Sequence, residues 1–369
     1  MKLILATGIY PPDIGGPATY SRAFAQELQK LGHEVVVITY SENCKLQIAD
    51  QIDPWPVVKI SKSGGPLLRW WRYSRALKKH GADANIVYAF SSVSCGVPLR
   101  MASLKKPKKI LRLGGDFLWE RYTDRGGISG LREWYSQAAK WLLVAGCWLL
   151  KHFDHIVFSS AFQRDIYIDH YKELPAYSVL ENAVPSGIPV LHEKHTPLRL
   201  LFLGRLVGFK NLRALIEALK DLSRMTLTIA GSGPLLSKLQ ACATANGVAD
   251  RVAFIGNRDG SEKQKLFYDH DLLVLPSLTE ISPNVALEAR AVGMPVLLTR
   301  LNGLSAALQK GMIVRNLYDH EQIASAIREM EKNYQAFAAE CARPSIQRPW
   351  SMVAKEHVEL FLRLSGLVK

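Results

Sequence analysis

The stretch from Glu280 to Glu288 combines two carboxylates with a helix start. It reads Glu-Ile-Ser-Pro-Asn-Val-Ala-Leu-Glu and follows an apolar run typical of a buried strand. Ser282 can cap a helix and Pro283 is tolerated at the first helical position, so Glu280 is predicted on the preceding loop and Glu288 inside the helix. The first N–H groups of a helix attract anions, and carboxylates accept hydrogen bonds from hydroxyl groups. The stretch therefore suits an anionic, polyhydroxylated ligand such as a sugar nucleotide; two solvated charges are the alternative.

Two cations lie at another strand-to-helix turn. A short β-like run ends at Gly204, and Arg205 and Lys210 follow it on the loop that leads into the helix Leu212–Lys220. A guanidinium presents a fork of donors and an ammonium a point charge, and together they can clamp phosphate groups. The turn therefore predicts a phosphate site.

Strand and helix signals alternate through the second half of the chain, which predicts a doubly wound parallel sheet. Ligands of such sheets bind beyond the carboxyl ends of the strands, where both motifs fall. The first half opens with a β-strand, a helix over Thr19–Leu31 and a second strand at Glu34–Thr39. This βαβ unit lacks the GxGxxG fingerprint, which argues against an NAD-dependent enzyme.

The motifs, in this order and at these separations, resemble the retaining glycosyltransferases of the GT-B fold in glycosyltransferase family 4. The run Tyr10–Gly16 also resembles the first loop of that family. The resemblance implies an α/β protein of two Rossmann-like doubly wound domains that face a central cleft. The matching residues are Gly204-Arg205 with Lys210-Asn211, Gly231-Ser-Gly-Pro234, Pro276-Ser277, Glu280 with Glu288, Gly293-Met-Pro-Val296 and Asn302-Gly303.

Domain boundaries follow from the resemblance and from length. The chain has 369 residues, which fits two domains of ordinary size. We expect an acceptor-side domain over residues 1–185, a linker over 186–196 and a nucleotide-sugar domain over 197–345. A C-terminal helix within 346–369 is expected to cross back onto the first domain.

The resemblance also implies residue roles. Arg205 and Lys210 would neutralise the leaving diphosphate, Glu280 would hold sugar hydroxyls, and Glu288 would hold the ribose hydroxyls. The nucleotide-diphosphate sugar is a substrate, and no cofactor and no protein nucleophile are expected. Further donor-binding positions are expected in the loops and at the helix start: Gly15, Gly16, Gly204, Gly231, Ser282 and Asn284.

Two positions bear on the metal and on the donor sugar. Asp269-His-Asp271 matches the residue pattern of a metal-binding DxD motif, but it precedes its strand and is therefore expected at the end away from the phosphates. We therefore expect a metal-independent reaction. Many family members carry a histidine near the end of the fourth strand of the first domain, where this chain has Gly114-Gly-Asp116. Asp116 could contact a sugar hydroxyl and Trp119 could stack on a sugar face; a turn and a core tryptophan are the alternative.

The charge distribution is uneven. The chain carries 47 Lys and Arg against 33 Asp and Glu, a formal net charge of +14, and Asp83 is the only acidic residue between Pro54 and Gly115. The run Leu67–Lys79 mixes tryptophans with cations, as interfacial helices do. This predicts attraction to an anionic membrane surface, with a solvated face and buried tryptophans as the alternative. No nucleic-acid-binding motif is present, so no nucleic-acid partner is expected.

Other features indicate a cytoplasmic protein, held at most peripherally at the inner face of a membrane. The ten-residue apolar run Trp141–Leu150 is predicted to be a buried core helix, and no run is long enough to span a bilayer or to serve as a signal peptide. Five scattered cysteines without a CxxC pair fit a reducing compartment.

The predicted function is retaining transfer of a sugar to a hydroxyl of a glycan or lipid-linked acceptor, in cell-envelope polysaccharide or glycolipid synthesis. A nucleotide-sugar epimerase of the same fold is one alternative, and it would act without an acceptor. A non-catalytic carbohydrate-binding protein is the other.

Overall fold

The computed structural model describes residues 1–13, 15–42 and 53–367. Ile14 of the expected first loop and Cys44 lie outside these residues. The chain divides into two units, each built around its own sheet. The first comprises Met1–Phe117, Ser136–Ala183 and Trp350–Lys369, and the second comprises Leu118–Tyr135 and Val184–Pro349.

The secondary structure alternates between strand and helix along both units. The strands are β1 (Lys2–Ala6), β2 (Glu34–Ser41), β3 (Val57–Ser61), β4 (Ile86–Ala89), β5 (Lys108–Leu113), β6 (His155–Phe158), β7 (Tyr177–Val179), β8 (Arg199–Leu203), β9 (Thr226–Ala230), β10 (Val252–Gly256), β11 (Leu272–Leu275), β12 (Val296–Thr299) and β13 (Ile313–Arg315). The helices are α1 (Gly16–Lys30), α2 (Gly65–Gly81), α3 (Gly96–Ala102), α4 (Phe117–Asp124), α5 (Leu131–Gln137), α6 (Lys140–Leu150), α7 (Ala161–His170), α8 (Leu212–Ala218), α9 (Leu236–Ala245), α10 (Gly260–Asp269), α11 (Asn284–Ala291), α12 (Ala306–Gln309), α13 (His320–Lys332), α14 (Tyr334–Cys341) and α15 (Trp350–Ser365).

The first unit has a seven-stranded parallel sheet in the order β3-β2-β1-β4-β5-β6-β7. Central strands such as β1 and β4 read as nearly continuous apolar runs because helices cover both of their faces. The chain moves from β1 towards β3 and then crosses back to β4. Since crossovers in parallel sheets are right-handed, α1 covers one face and α2, α3, α6 and α7 cover the other.

The C-terminal helix α15 belongs to the first unit, where it lies against α1. The rings of Phe24 and Phe361 are 6.5 Å apart, and the rings of Tyr20 and Trp350 are 4.8 Å apart. His357 of α15 is fully buried and approaches the Tyr88 hydroxyl of β4 at 3.0 Å. Aromatic contacts therefore join the last helix to the core of this unit.

The second unit has a six-stranded parallel sheet in the order β10-β9-β8-β11-β12-β13. Leu200 of β8 pairs with Leu227 of β9 on one side and with Leu272 of β11 on the other. The predicted doubly wound sheet is thus present in this half of the chain.

The segment Leu118–Tyr135 comes from the first half of the sequence but belongs to the second unit. Trp119 is 1% exposed, and its ring lies 5.2 Å from that of Phe209. Its indole N–H donates to the carbonyl of Ser129 at 2.9 Å. Trp119 is therefore a core residue, and the expected first domain of residues 1–185 differs from the first unit in this segment.

The prediction that Trp141–Leu150 forms a buried core helix is wrong. The helix α6 forms, but Trp141, Val144 and Trp148 are 70%, 69% and 57% exposed. An apolar run without charges predicts that a segment avoids water, but it does not identify what covers that segment.

The alternative that places both Trp70 and Trp71 in the core is also not what the structure shows. Trp71 is exposed on α2 and Trp70 is half-buried, while Tyr73 and Leu77 supply the buried face of that helix. In the described part of the chain, no helix has the length and apolarity needed to cross a membrane.

Candidate functional site

The strand order of the second unit reverses between β8 and β11. The chain runs outward from β8 to β10 and returns to place β11 on the other side of β8. Loops that leave two such strands at their carboxyl ends diverge and open a crevice, which is the usual ligand site of doubly wound sheets. The predicted residues of this domain follow β8 and β11, except Gly231, which follows β9.

A buried ion pair bridges these two loops. The Lys210 ammonium, after β8, donates to Glu280 Oε1, after β11, at 2.5 Å. The hydroxyl of Ser277 donates to the same oxygen at 2.6 Å. The side chains of Lys210 and Glu280 are 13% and 7% exposed, so water screens the pair little. The structure thus brings together two of the predicted catalytic residues.

The backbone of Glu280 is fixed by the loop after β12. Its N–H donates to the carbonyl of Leu301 at 2.9 Å, and its carbonyl accepts from the N–H of Gly303 at 2.8 Å. Asn302 holds that loop, since its amide donates to the Thr299 carbonyl and its Oδ1 accepts from the Leu304 N–H. The Glu280 side chain therefore has a well-defined position.

Glycines allow the loops after β8 and β9 to meet backbone to backbone. A Cβ on Gly231 would lie 1.8 Å from the carbonyl oxygen of Gly204, and a Cβ on Gly233 would lie 2.5 Å from that of Leu206. The N–H of Leu206 donates to the carbonyl of Ser232 at 2.9 Å. Gly231, a predicted donor-binding position, and Gly233 are thus required for the close approach of these loops, and Gly204, also a predicted donor-binding position, supplies the carbonyl that Gly231 approaches.

Arg205 has a partner that the sequence did not suggest. Its Nη2 donates to Glu120 Oε2 at 3.0 Å, and the two side chains are 51% and 27% exposed. Glu120 lies on α4 of the segment Leu118–Tyr135. A phosphate that approaches Arg205 would compete with this carboxylate.

The same segment contacts the other loops of the site. The N–H of Leu131 donates to Thr279 Oγ1 at 2.9 Å, and the N–H of Gly208 donates to Asp124 Oδ1 at 3.3 Å. A Cβ on Gly208 would lie 2.1 Å from the carbonyl oxygen of Thr123. Sequence analysis missed this contribution, because no short-range pattern links the segment to loops so distant in the chain.

Asn211 is a second residue whose role emerges only from the structure. It adopts a left-handed conformation with φ 53°, and its side-chain amide donates to the carbonyls of Pro276, Leu317 and Tyr318. The loops after β11 and β13 are thereby tied to the turn that carries Lys210. Asn211 is a positioning residue for the ion pair.

The helix after Glu280 begins one residue later than predicted. Helix α11 spans Asn284–Ala291, with Pro283 at the cap position and no side-chain capping bond. The expectation that Ser282 occupies the cap position is therefore wrong: Pro283 has a φ of −77° but a non-helical ψ of 88°, so the helix begins after it. Ser282 and Asn284 nevertheless flank the N-terminus of the helix, where an anion is favoured.

Glu288 lies inside α11, as predicted, and it forms an ion pair with Lys263 of α10. The two side chains are partly buried, at 22% and 28% exposed. Lys263 is a further residue that sequence analysis did not select. A ribose hydroxyl that donates to Glu288 would share the carboxylate with this ammonium.

The predicted residues of the first domain lie in the first unit. Gly15 and Gly16 precede and open α1, and a Cβ on Gly15 would approach Ile9 to 2.7 Å, whereas Gly16 has open space around it. Asp116 is buried and accepts from the Tyr167 hydroxyl at 2.8 Å. Asp116 thus has a structural partner within its unit, and its contact with a sugar hydroxyl stays a prediction.

The Asp269-His-Asp271 motif lies before the amino end of β11, opposite the loops that carry Lys210 and Glu280. Asp271 is fully buried and accepts from the His195 N–H at 2.9 Å and from the Arg199 N–H at 2.6 Å. His270 is buried against Leu266 and Thr228, and burial lowers its pKa. These contacts account for the motif as a structural element.

The arrangement at the end of β8 and β11 can bind an anion and hydroxyl groups together. The Lys210 ammonium has two further N–H donors beyond the one given to Glu280, and the Glu280 carboxylate has a second oxygen. A diphosphate next to the ammonium and a sugar next to the carboxylate would satisfy these remaining groups.

Comparison with known proteins identifies the family. Residues 188–345 match the family described as Glycosyl transferases group 1, and residues 14–187 match Glycosyltransferase Family 4. Glycogen synthase of Mycobacterium tuberculosis is 26% identical over 98% of this chain and 94% of its own. Alpha-monoglucosyldiacylglycerol synthase of Streptococcus pneumoniae is 24% identical over 89% of this chain and 78% of its own.

Solved structures share the fold over the whole chain. Sucrose-phosphate synthase from Thermosynechococcus elongatus has a TM-score of 0.78 at 17% identity and covers 100% of both chains. Anabaena HepE, solved with UDP and glucose, has a TM-score of 0.75 at 16% identity and covers 98% of this chain and 100% of its own. These likenesses confirm the expected GT-B architecture of two Rossmann-like doubly wound units. The chain is a transferase that belongs to the glycosyltransferases of group 1 and family 4.

Proposed function

We propose that the enzyme transfers a sugar, with retention of anomeric configuration, from a nucleotide-diphosphate sugar to a hydroxyl of a glycan or lipid-linked acceptor. The observation that carries the proposal is the buried pair of Lys210 and Glu280 at the point where the strand order reverses. A uridine nucleotide donor gains support from HepE, which was solved with UDP and glucose.

The proposed chemistry depends on stabilising the leaving group. As the bond between the anomeric carbon and the diphosphate breaks, negative charge grows on the phosphate oxygens, where Lys210 and Arg205 would stabilise it. Glu280 would hold sugar hydroxyls and orient the ring. The acceptor hydroxyl attacks from the face that the diphosphate leaves, and its proton passes to the departing phosphate oxygen, so no protein nucleophile is required.

Envelope polysaccharide or glycolipid synthesis is the proposed setting, with the enzyme held peripherally at the inner face of a membrane. The proposal is supported by a similar protein that is named a glucosyldiacylglycerol synthase. It is also supported by the acid-poor stretch between Pro54 and Gly115. Attraction of each basic residue to an anionic leaflet contributes about 1 kcal/mol.

The test begins with thermal unfolding in the presence of a panel of nucleotide sugars. A donor at about 100 times its Kd should stabilise the fold by about 2.7 kcal/mol. With that donor and an acceptor, NMR of the product should show the anomeric configuration of the donor. Formation of an epimer without acceptor would instead identify an epimerase, and an inverted product would contradict the proposed mechanism.

A further inference from the structure

One helix of the first unit exposes an apolar face. Within α6, Trp141, Val144, Ala145 and Trp148 are exposed, and at 3.6 residues per turn they fall within about 100° of one another. The opposite face is packed, since Leu149 and Leu150 are buried and Gly146 lies directly against the Tyr171 ring. The exposed face is therefore a continuous stripe on a helix of about 16 Å.

The stripe is flanked by cations. The helix begins at Lys140 and is followed by Lys151, which forms an ion pair with Glu173, and no acidic residue occurs from Ser136 to Phe153. The guanidinium of Arg100, on α3, lies 3.8 Å from the centre of the Trp148 ring. Such a cation–π contact keeps a charge at the edge of the apolar stripe.

The helix α2, on the same side of the sheet, also exposes apolar side chains beside an arginine. The helix α2 packs against α3, and it exposes Leu67 and Trp71. The guanidinium of Arg75 lies 5.0 Å from the centre of the Trp71 ring. Both tryptophans are thus exposed, each beside an arginine, on helices that cover one face of the sheet.

We propose that this face, centred on Trp141, Val144 and Trp148 of α6, inserts shallowly into the surface of an anionic lipid bilayer. Tryptophans beside cations suit the interface between headgroups and acyl chains, where the ring is partly buried and the charge meets lipid phosphate. A second copy of the chain fits less well, because pairing two such faces would bring like charges together. The inference specifies the contact behind the peripheral location given under Proposed function.

The proposal is tested by sedimentation with vesicles of phosphatidylglycerol and phosphatidylcholine, without any donor sugar. Replacing Trp141, Val144 and Trp148 together by Ser should lower the partition coefficient by about tenfold or more, because three apolar groups leave the contact. The matched control replaces Ile188 and Leu191 by Ser; both are exposed in the second unit, and this variant should bind like the wild type.

The contributions of basic charge and of apolar insertion to vesicle binding can be measured separately. Changing Arg69, Arg72 and Arg75 together to Glu should weaken binding at low salt. In 1 M salt, where the Debye length is about 3 Å, the wild type should retain more binding than the α6 variant, since insertion is not screened. Tryptophan quenching by brominated lipid should be strong in the wild type and weaker in the α6 variant.

Three results would overturn the proposal. The first is wild-type protein that does not bind anionic vesicles at low salt, and the second is an α6 variant that binds them as well as the wild type does. The third is a wild type that is dimeric and an α6 variant that is monomeric. Donor-induced thermal stabilisation is measured in parallel and should be unchanged in the α6 variant. Its absence in the wild type would count against the proposed transferase reaction alone.

Discussion

At the scale of single residues, the site depends on how Lys210 is held. Its ammonium is mostly buried, and its negative partner Glu280 receives a second hydrogen bond from Ser277. Burial of the pair costs desolvation, and the short contact and the hydrogen bond from Ser277 oppose that cost. A preorganised cation at this place can stabilise charge on a leaving group without reorganising during the reaction.

Replacing either phosphate-site cation should therefore impair turnover. We expect Arg205→Ala and Lys210→Ala each to lower kcat by roughly 10²–10³, the scale for loss of one contact to transition-state charge. Arg213→Ala is the control, because Arg213 is 80% exposed and pairs with Glu217 within α8. Steady-state rates with the donor from the thermal screen measure the effect.

Thermal unfolding of each variant must accompany the rates. Lys210→Ala removes the ammonium from the buried Glu280 carboxylate, which keeps its hydrogen bond from Ser277, so some loss of stability is expected. Near-normal turnover in both the Arg205 and the Lys210 variants would refute the assignment of the phosphate site.

The residues of this site could be selected from the sequence because their signals are local. Gly204 follows β8, and Arg205 and Lys210 come within six residues of it. Glu280 precedes a helix. These short spacings place the three charged residues at the carboxyl ends of strands. Partners distant in the chain could not be selected in this way. The pairing of Glu280 with Lys210 joins residues that are 70 positions apart.

At the scale of elements, the segment Leu118–Tyr135 is the main departure from expectation. It contributes Trp119 to the core of the second unit and Glu120 to Arg205. The local sequence pattern of this segment does not indicate that it belongs to the second unit rather than to the first. Packing between residues distant in the chain determines this placement.

The ion pair between Glu120 and Arg205 should compete with phosphate. Partly exposed ion pairs contribute about 0.2–1 kcal/mol, so Glu120→Gln should tighten binding of a nucleoside diphosphate by up to about fivefold. Isothermal titration calorimetry measures the change. The effect should vanish in an Arg205→Ala background, and Glu217→Gln, which breaks a comparable pair on α8, should leave affinity unchanged.

Weaker binding by the Glu120→Gln variant would give the opposite conclusion. Glu120 would then hold Arg205 in its productive position, as Asn211 holds the Lys210 turn. Either result identifies the segment as part of the donor site, whereas an unchanged affinity would leave α4 with a structural role only.

The helix α6 shows a second limit of pattern-based prediction at this scale. Its sequence has eleven residues with Lys140 as the sole charge, and the same run would suit a core, a bilayer surface or a partner protein. Which one applies depends on what the rest of the chain places over it. In the structure, its neighbours cover the side of Gly146 and Leu150 and leave the tryptophans exposed.

At the scale of the whole molecule, both the net charge and the sheet topology favour binding of an anionic ligand. The net charge of +14 suits anionic substrates and surfaces, and both sheets reverse their strand order beside their first strand, β1 or β8. The alternation of strand and helix was predictable, because parallel sheets covered on both faces give unmistakable apolar runs. The assignment of segments to units was not.

The positions of the acidic residues bear on whether the reaction needs a metal ion. Among the described residues, no group of three His, Cys, Asp or Glu side chains is placed to hold a metal ion. The one acidic pair with the spelling of a metal motif precedes β11, and Asp271 there already accepts the N–H groups of His195 and Arg199. We predict that Arg205 and Lys210, which follow β8, take the place that a metal would have beside a diphosphate.

Activity should consequently persist in excess EDTA. The measurement is the initial rate of sugar transfer with and without the chelator, and with added Mg²⁺ or Mn²⁺. Asp271→Asn supplies an internal check: it should lower thermal stability, since a buried acceptor of two backbone N–H groups loses its charge, but it should not create or remove a response to metal. Complete loss of transfer on chelation, restored by Mg²⁺ or Mn²⁺, would show that a metal rather than Arg205 and Lys210 neutralises the diphosphate.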